Sequence, residues 1–248
     1  MDLLVFDEVS KSFGGVKALD RVSFSVAQNE VLGIIGLNGS GKTTAVNVIT
    51  GFVRPDSGHV RFKGKEITGH PPHRLAALGI VRTFQTVRPF HNLPAFKNLI
   101  VPLYSSRIRK FTTSGRWGDR DGVALDLLEE VGFERASLVP YKPASALPHG
   151  YLRRLELARC LALKPELIIT DELFSGLSSS EVSSMIPLIE KLQMSGMTLI
   201  MVEHRLRELF KIARRIVVLD GGRKVAEGAP GQIVEDRTVK ETYLGAEL

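Results

Sequence analysis

Gly36-Leu37-Asn38-Gly39-Ser40-Gly41-Lys42-Thr43 decides how the rest of the chain is read. An apolar run from Val31 to Gly36 leads into it, and helical periodicity from Lys42 to Thr50 follows before Gly51 breaks the pattern. Gly-x4-Gly-Lys-Thr between a strand and a helix is the P-loop pattern. Its glycines let the backbone curl until successive N–H groups converge on an anion. The helix behind them adds about half a positive charge at its N-terminus. Lys42 can reach β- and γ-phosphates, and the Thr43 hydroxyl is placed for Mg2+. Gly36, Leu37, Asn38, Gly39, Ser40, Gly41, Lys42, Thr43 and Thr44 are therefore the predicted contacts of a nucleoside triphosphate.

Such a cradle needs an acid for the metal at the end of a neighbouring strand. Leu167-Ile168-Ile169-Thr170-Asp171-Glu172 supplies one. The apolar run carries Asp171 to the sheet edge as a candidate Mg2+ ligand, and Glu172 next to it can orient and deprotonate an attacking water. Acid pairs are common on surfaces, but directly after a buried strand such a pair is costly unless it binds something. A second apolar run, TLIMVEH, ends on His204, whose imidazole could hydrogen-bond a γ-phosphate or that water. Glu172, His204 and Lys42 are the predicted catalytic groups.

Around this centre the chain has 248 residues, 44% of them hydrophobic, enough to bury a full-sized core. Charged residues at 24% and aromatics at 7% exclude a disordered chain, and a net charge of +6 fits phosphate ligands without choosing among anionic partners. The single cysteine, Cys160, excludes an internal disulfide and sits in helical periodicity as a reduced core residue. The beginning, Met1-Asp2-Leu3-Leu4-Val5, lacks the pattern of a secretory signal, and no long uncharged apolar run occurs, so a cytoplasmic chain is expected. Short β-rich runs are predicted at Leu3–Val9, Val22–Val26, Val31–Gly36 and His59–Lys63, and again at Leu167–Thr170, Thr198–Val202 and Ile216–Leu219. Between Thr86 and Leu163 the pattern is mostly helical, broken by prolines. Strand–helix alternation interrupted in this way predicts an α/β core carrying an inserted helical subdomain.

The order and spacing of these pieces resemble the nucleotide-binding domain of ABC ATPases over essentially the whole chain. The resemblance implies a P-loop NTPase (RecA-like) core with an N-terminal antiparallel β part. Residues 1–85 and 164–248 would form the catalytic core and 86–163 the helical subdomain, all in one domain of 1–248. In that family an aromatic residue stacks on adenine, matched here by Phe13 in KSFGGVKAL. Gln85 in VRTFQT matches the glutamine that touches the metal, Asp171 and Glu172 match the Walker B pair, and His204 matches the switch histidine. LPHGYLRRLELARCLA, beginning at Leu147, matches the signature loop and its helix, which places Pro148, His149 and Gly150 against nucleotide held by a partner. GIVRTFQT, VEHRL and the ending ETYLGAEL look like the branched-chain amino-acid importer branch.

What the resemblance implies in turn is an ATP- and Mg2+-dependent motor on the inner face of the cell membrane. It would pair with a second ABC ATPase chain, dock on integral membrane permease subunits, and serve a solute-binding protein indirectly, with no nucleic acid. Val87, Arg88, Pro89, Phe90, His91 and Leu93 form the candidate docking patch, and Tyr104–Gly118 reads as a solvated loop. Departures from the family pattern carry their own expectation. The usual Leu-Ser-Gly-Gly-Gln is here Leu147-Pro148-His149-Gly150-Tyr151, and Pro148 offers neither hydroxyl nor N–H. Leu173 replaces a usual proline, and Ser178 stands where aspartate is frequent. An impaired signature beside intact catalytic groups predicts pairing with a different ATPase chain. A soluble ABC ATPase unconnected with transport, or an ATP-binding regulatory subunit, are the rival readings.

Overall fold

A computed structural model describes residues 2–109 and 119–242. In chain order the elements begin β1 (Asp2–Phe13), β2 (Val16–Ala27), β3 (Val31–Ile35), α1 (Lys42–Ile49), β4 (Ser57–Phe62), β5 (Lys65–Glu66), α2 (Pro72–Leu78) and β6 (Ile80–Arg82). A helical stretch follows with α3 (Ile100–Leu103), α4 (Ser106–Arg109), α5 (Arg120–Glu130) and α6 (His149–Leu161). Alternation then resumes with β7 (Leu167–Asp171), α7 (Ser179–Met194), β8 (Thr198–Val202), α8 (Leu206–Ile212), β9 (Arg215–Asp220) and β10 (Arg223–Gly228), and ends in α9 (Pro230–Glu235) and α10 (Arg237–Thr242).

The strands form two sheets. One is a four-stranded antiparallel sheet in the order β2-β1-β4-β5; the other has six strands in the order β10-β9-β3-β8-β7-β6. Within the second, β9, β3, β8, β7 and β6 run parallel and only the edge strand β10 is antiparallel. Every residue of β3, β7 and β8 is buried, as expected of parallel strands covered on both faces. Their side chains divide by parity. Val31, Ile35, Ile168, Leu199 and Met201 face a core shared with α5, α6 and α7. Leu32, Ile34, Leu167, Ile169, Ile200 and Val202 face a second core shared with α1 and the antiparallel sheet.

Several expected boundaries move. β1 and β2 are each 12 residues long, because bulged pairing lets the hairpin continue to a turn at Gly14 and Gly15. β6 and β10 went unpredicted: three residues are too few for a pattern, and β10 is a largely exposed polar edge strand. Of the expected loop at Tyr104–Gly118, residues 106–109 form α4, whereas 110–118 lie outside the described residues, as does most of the ending ETYLGAEL. Among the described residues no helix is long and apolar enough to cross a membrane.

Candidate functional site

Strand register builds the site. Val202 of β8 lies opposite Ile34 of β3 on one side and Asp171 of β7 on the other. Three adjacent strands thus reach their carboxyl ends in one row, each about 4.8 Å from the next. The chain continues from that row into Gly36, Glu172 and His204. The reversal of connection around β3, flanked by β9 and β8, is where open α/β sheets place their ligands.

The phosphate loop fits closely between its neighbours. A Cβ on Gly36 (φ 150°) would stand 2.1 Å from the Leu219 carbonyl oxygen, and one on Gly41 (φ 107°) 2.6 Å from that of Ala18. Only glycine allows that approach together with that backbone conformation. Lys42 is buried, and its Nζ donates to the carbonyl oxygens of Gly36 at 2.6 Å and Leu37 at 2.9 Å. Burial holds its pKa below the ordinary lysine value, with Glu172 and Asp171 opposing. Ser40 Oγ is buried with no hydrogen-bond partner among the described residues, an orphan that a phosphate oxygen would satisfy. Beside the loop is a cavity of about 250 Å³ onto which Asn38, Gly39, Ser40, Gly41, Lys42, Thr43, Thr44, Glu172 and His204 all open.

Glu172 sits at the rim with both carboxylate oxygens engaged. Gln85 Nε2 donates to Oε2 at 2.8 Å, and His204 Nε2 lies 3.1 Å from Oε1. The Glu172 carboxylate accepts from His204 in the tautomer that carries its ring proton on Nε2. The Glu172 backbone is left-handed (φ 54°), and its N–H donates to the Val202 carbonyl at 2.9 Å. Such a conformation in a non-glycine residue costs about 1–3 kcal/mol and persists where surrounding bonds over-determine it. Asp171 is buried and paired with Arg82 at 2.9 Å. Burial pushes its carboxyl up, and the guanidinium pulls the other way. Thr43, Gln85 and Asp171 offer hard oxygen donors of the kind Mg2+ takes together with phosphate and water. Among the described residues no cluster of three or more His, Cys, Asp or Glu could hold a metal alone, and a phosphate-bridged Mg2+ needs none.

A family described as ABC transporter matches residues 19–175, more than half of the chain. The chain belongs to the ABC transporter family. High-affinity branched-chain amino acid transport ATP-binding protein BraF of Pseudomonas aeruginosa is 35% identical, with 98% of each chain covered. Lipopolysaccharide export system ATP-binding protein LptB of Haemophilus influenzae is 33% identical over 100% of this chain and 99% of its own. The ADP conformation of MJ1267, an ATP-binding cassette of an ABC transporter, superposes with a TM-score of 0.86 at 33% identity, covering 99% of each chain. This ABC cassette is accordingly an ATPase.

The remaining predicted site residues of the cassette lie elsewhere. Phe13 ends β1 with 48% of its surface exposed and Lys11 Nζ 5.3 Å from its ring centre; it does not line the cavity. Pro148, His149 and Gly150 also stand apart from the cavity, at the start of α6. Pro148 is the N-cap and adds no side-chain bond. The His149 ring packs on Gly176, and Gly150 packs on the Glu181 carboxylate. Tyr151, the altered last position of the signature, stacks edge-on against Phe133 with ring centres 4.9 Å apart. Ser178 caps α7 in a reciprocal bond with Glu181, so it has a local structural task in place of aspartate. Leu173 is fully buried and Cys160 is buried with its thiol pushed up to about 12, both ordinary core residues. In the expected docking patch, Pro89 is buried, whereas Arg88, Phe90, His91 and Leu93 are exposed.

Four charged residues around the site were not singled out from sequence. Arg82 holds Asp171. Arg153 and Glu156 of α6 grip the backbone just before Gln85: Glu156 Oε1 accepts from Phe84 N–H at 2.7 Å, and Arg153 donates to the Phe84 and Ser175 carbonyls, each at 3.2 Å. Glu203, 1% exposed, accepts from Phe174 N–H at 3.2 Å. Charges inside the apolar runs GIVRTF and TLIMVEH were the available signal for Arg82 and Glu203.

Proposed function

We propose that ATP hydrolysis on this cassette powers a membrane transporter importing branched-chain or related amino acids. The observation that carries the chemistry is Glu172, held by Gln85 and His204 at the rim of the phosphate cavity. From there it can take a proton from water attacking a γ-phosphate held by Lys42 and the loop N–H groups. Mg2+, held by Thr43, Gln85 and Asp171, would neutralise phosphate charge. The full-length likeness to BraF supports the substrate class and the importing direction. The comparable likeness to LptB favours, as the second reading, an export motor of the same construction.

Transport further requires two cassettes, with nucleotide between one phosphate loop and the other chain's signature segment. Pro148 lacks a hydroxyl for that contact, which supports a related but different ATPase chain as the partner. The helical stretch 86–163 would be the part that moves against the permease. A groove of about 370 Å³ beside the Q-bearing segment, with Phe52, Phe84 and Val101 exposed along it, suits a short apolar element of that permease. This location adds to the Arg88–Leu93 surface. Phe13 supplies an exposed ring for adenine. Such a complex would sit on the inner face of the membrane and serve a solute-binding protein indirectly.

The test is Mg-ATP turnover of the purified chain against its own concentration, then with permease and candidate partner ATPases in liposomes. Turnover that appears only with the partner, accompanied by amino-acid uptake, is the expected result. Turnover rising with concentration of this chain alone would refute the asymmetric pair. Solute efflux in place of uptake would decide for the second reading.

A further inference from the structure

Arg82 connects two parts of the molecule that the proposed function treats separately. Its side chain, 9% exposed, ends β6 and reaches the metal acid, with Nη2 donating to Asp171 Oδ2 at 2.9 Å. Nη1 donates to Asn47 Oδ1 at 2.7 Å, on the helix that carries Lys42 and Thr43. On its other side the guanidinium lies 4.8 Å from the Phe84 ring centre and 5.5 Å from that of Phe52. Those rings meet edge-on at 5.9 Å and remain 46% and 53% exposed in the groove.

We propose that Arg82 is a positioning residue that aims the Asp171 carboxylate at the metal and takes its own position from the two groove aromatics.

The argument rests on the division of Asp171's oxygens. Oδ2 is committed to Arg82, so the carboxylate cannot swing, and Oδ1 is left for a metal or its water. A planar guanidinium can bond Asp171 and Asn47 at once while stacking on aromatic faces, which an ammonium cannot do. The same group thus registers the metal acid against the phosphate-loop helix. Asp171 only partly offsets the cost of burying the guanidinium, and displacing either ring shifts the fork. Substituting a partner that orients a metal's ligand typically costs about 10- to 100-fold in metal affinity. The inference relies on the reading of the cavity as an ATP–Mg2+ site, and the measurement separates the two.

Binding of a fluorescent ATP analogue to the purified chain is titrated with Mg2+, starting from EDTA, with no turnover measured. Arg82→Lys should raise the Mg2+ concentration at half-effect about tenfold, well beyond any change in the affinity measured in EDTA. Phe84→Leu, on an exposed ring that the fold tolerates, should shift the midpoint in the same direction by less. In an Asp171→Asn background Arg82→Lys should add nothing, since it acts through that carboxylate. An unshifted midpoint in Arg82→Lys, no shift in Phe84→Leu, or a shift undiminished in Asp171→Asn would overturn the inference while the site reading stood. No nucleotide binding by the unsubstituted chain would overturn both.

Discussion

Replacing Glu203 by glutamine isolates one buried proton. Glu203 follows β8, is 1% exposed, and accepts backbone N–H groups from Phe174 and Leu173. Burial drives its pKa from an ordinary 4.5 to about 8, and the nearby Glu172 adds to the rise, while the backbone bonds and Arg153 oppose it. At neutral pH the folded chain therefore keeps a proton that the unfolded chain has lost. Between these two values the native state binds more protons, so stability falls as pH rises, by about 1.4 kcal/mol per unit. Below pH 4.5 both states are protonated and the penalty vanishes; above pH 8 both are ionised and it stops growing.

Glutamine retains the acceptor oxygen and cannot titrate. Its stability relative to the unsubstituted chain should therefore climb by about 3 kcal/mol between pH 5 and pH 7. Urea unfolding at fixed pH values reads this directly, because the difference between the two proteins cancels every other titrating group. The absolute offset at pH 5 depends on how well the new amide finds partners, so the slope carries the test. A difference that stays constant from pH 5 to pH 8 would refute a protonated Glu203.

Three further outcomes follow from the geometry. Glu172→Gln should lower ATP turnover by about 10²- to 10⁴-fold while nucleotide binding, measured by calorimetry, is retained. Gly36→Ala should abolish nucleotide binding, because its Cβ would meet the Leu219 carbonyl oxygen at 2.1 Å and force the loop outward; equilibrium dialysis with labelled ATP checks it. Glu156→Ala leaves the Phe84 N–H without its partner and should cost about 1–3 kcal/mol in chemical unfolding.

How much was legible in the sequence depended on how locally each group acts. The phosphate loop could be read because glycines, lysine and threonine work within eight consecutive residues, and strand and helix flank them directly. Asp171, Glu172 and His204 could be read because an apolar run that stops on a charged residue marks a sheet edge. Arg82 could not be read in this way. Its partner is 89 residues away in sequence, and only the pairing of β6 with β7 brings the two together. The packing of Tyr151 on Phe133 could not be read either, since the signature pattern marks that position only as a departure from glutamine. Similarly, Ser178 reads as a lost aspartate until its bond with Glu181 is seen.

These long-range bonds explain how Glu172, at one strand end, can answer to a helix elsewhere. Glu172 takes one donor from the segment after β6 and another from the end of β8, so its side chain measures the spacing of three strand ends. Phe84, next to Gln85, is held by α6 at both its N–H and its carbonyl. A part-buried bond of 2.7 Å to a carboxylate does not stretch by an ångström without breaking. Any displacement of α6 relative to β7 must therefore either carry Phe84 and Gln85 with it or leave buried polar groups unpaired. Moving together is the cheaper course, and it alters the Gln85 contact with Glu172. The α6 helix and the Glu172 carboxylate are in this way mechanically joined through the Phe84 backbone and Gln85.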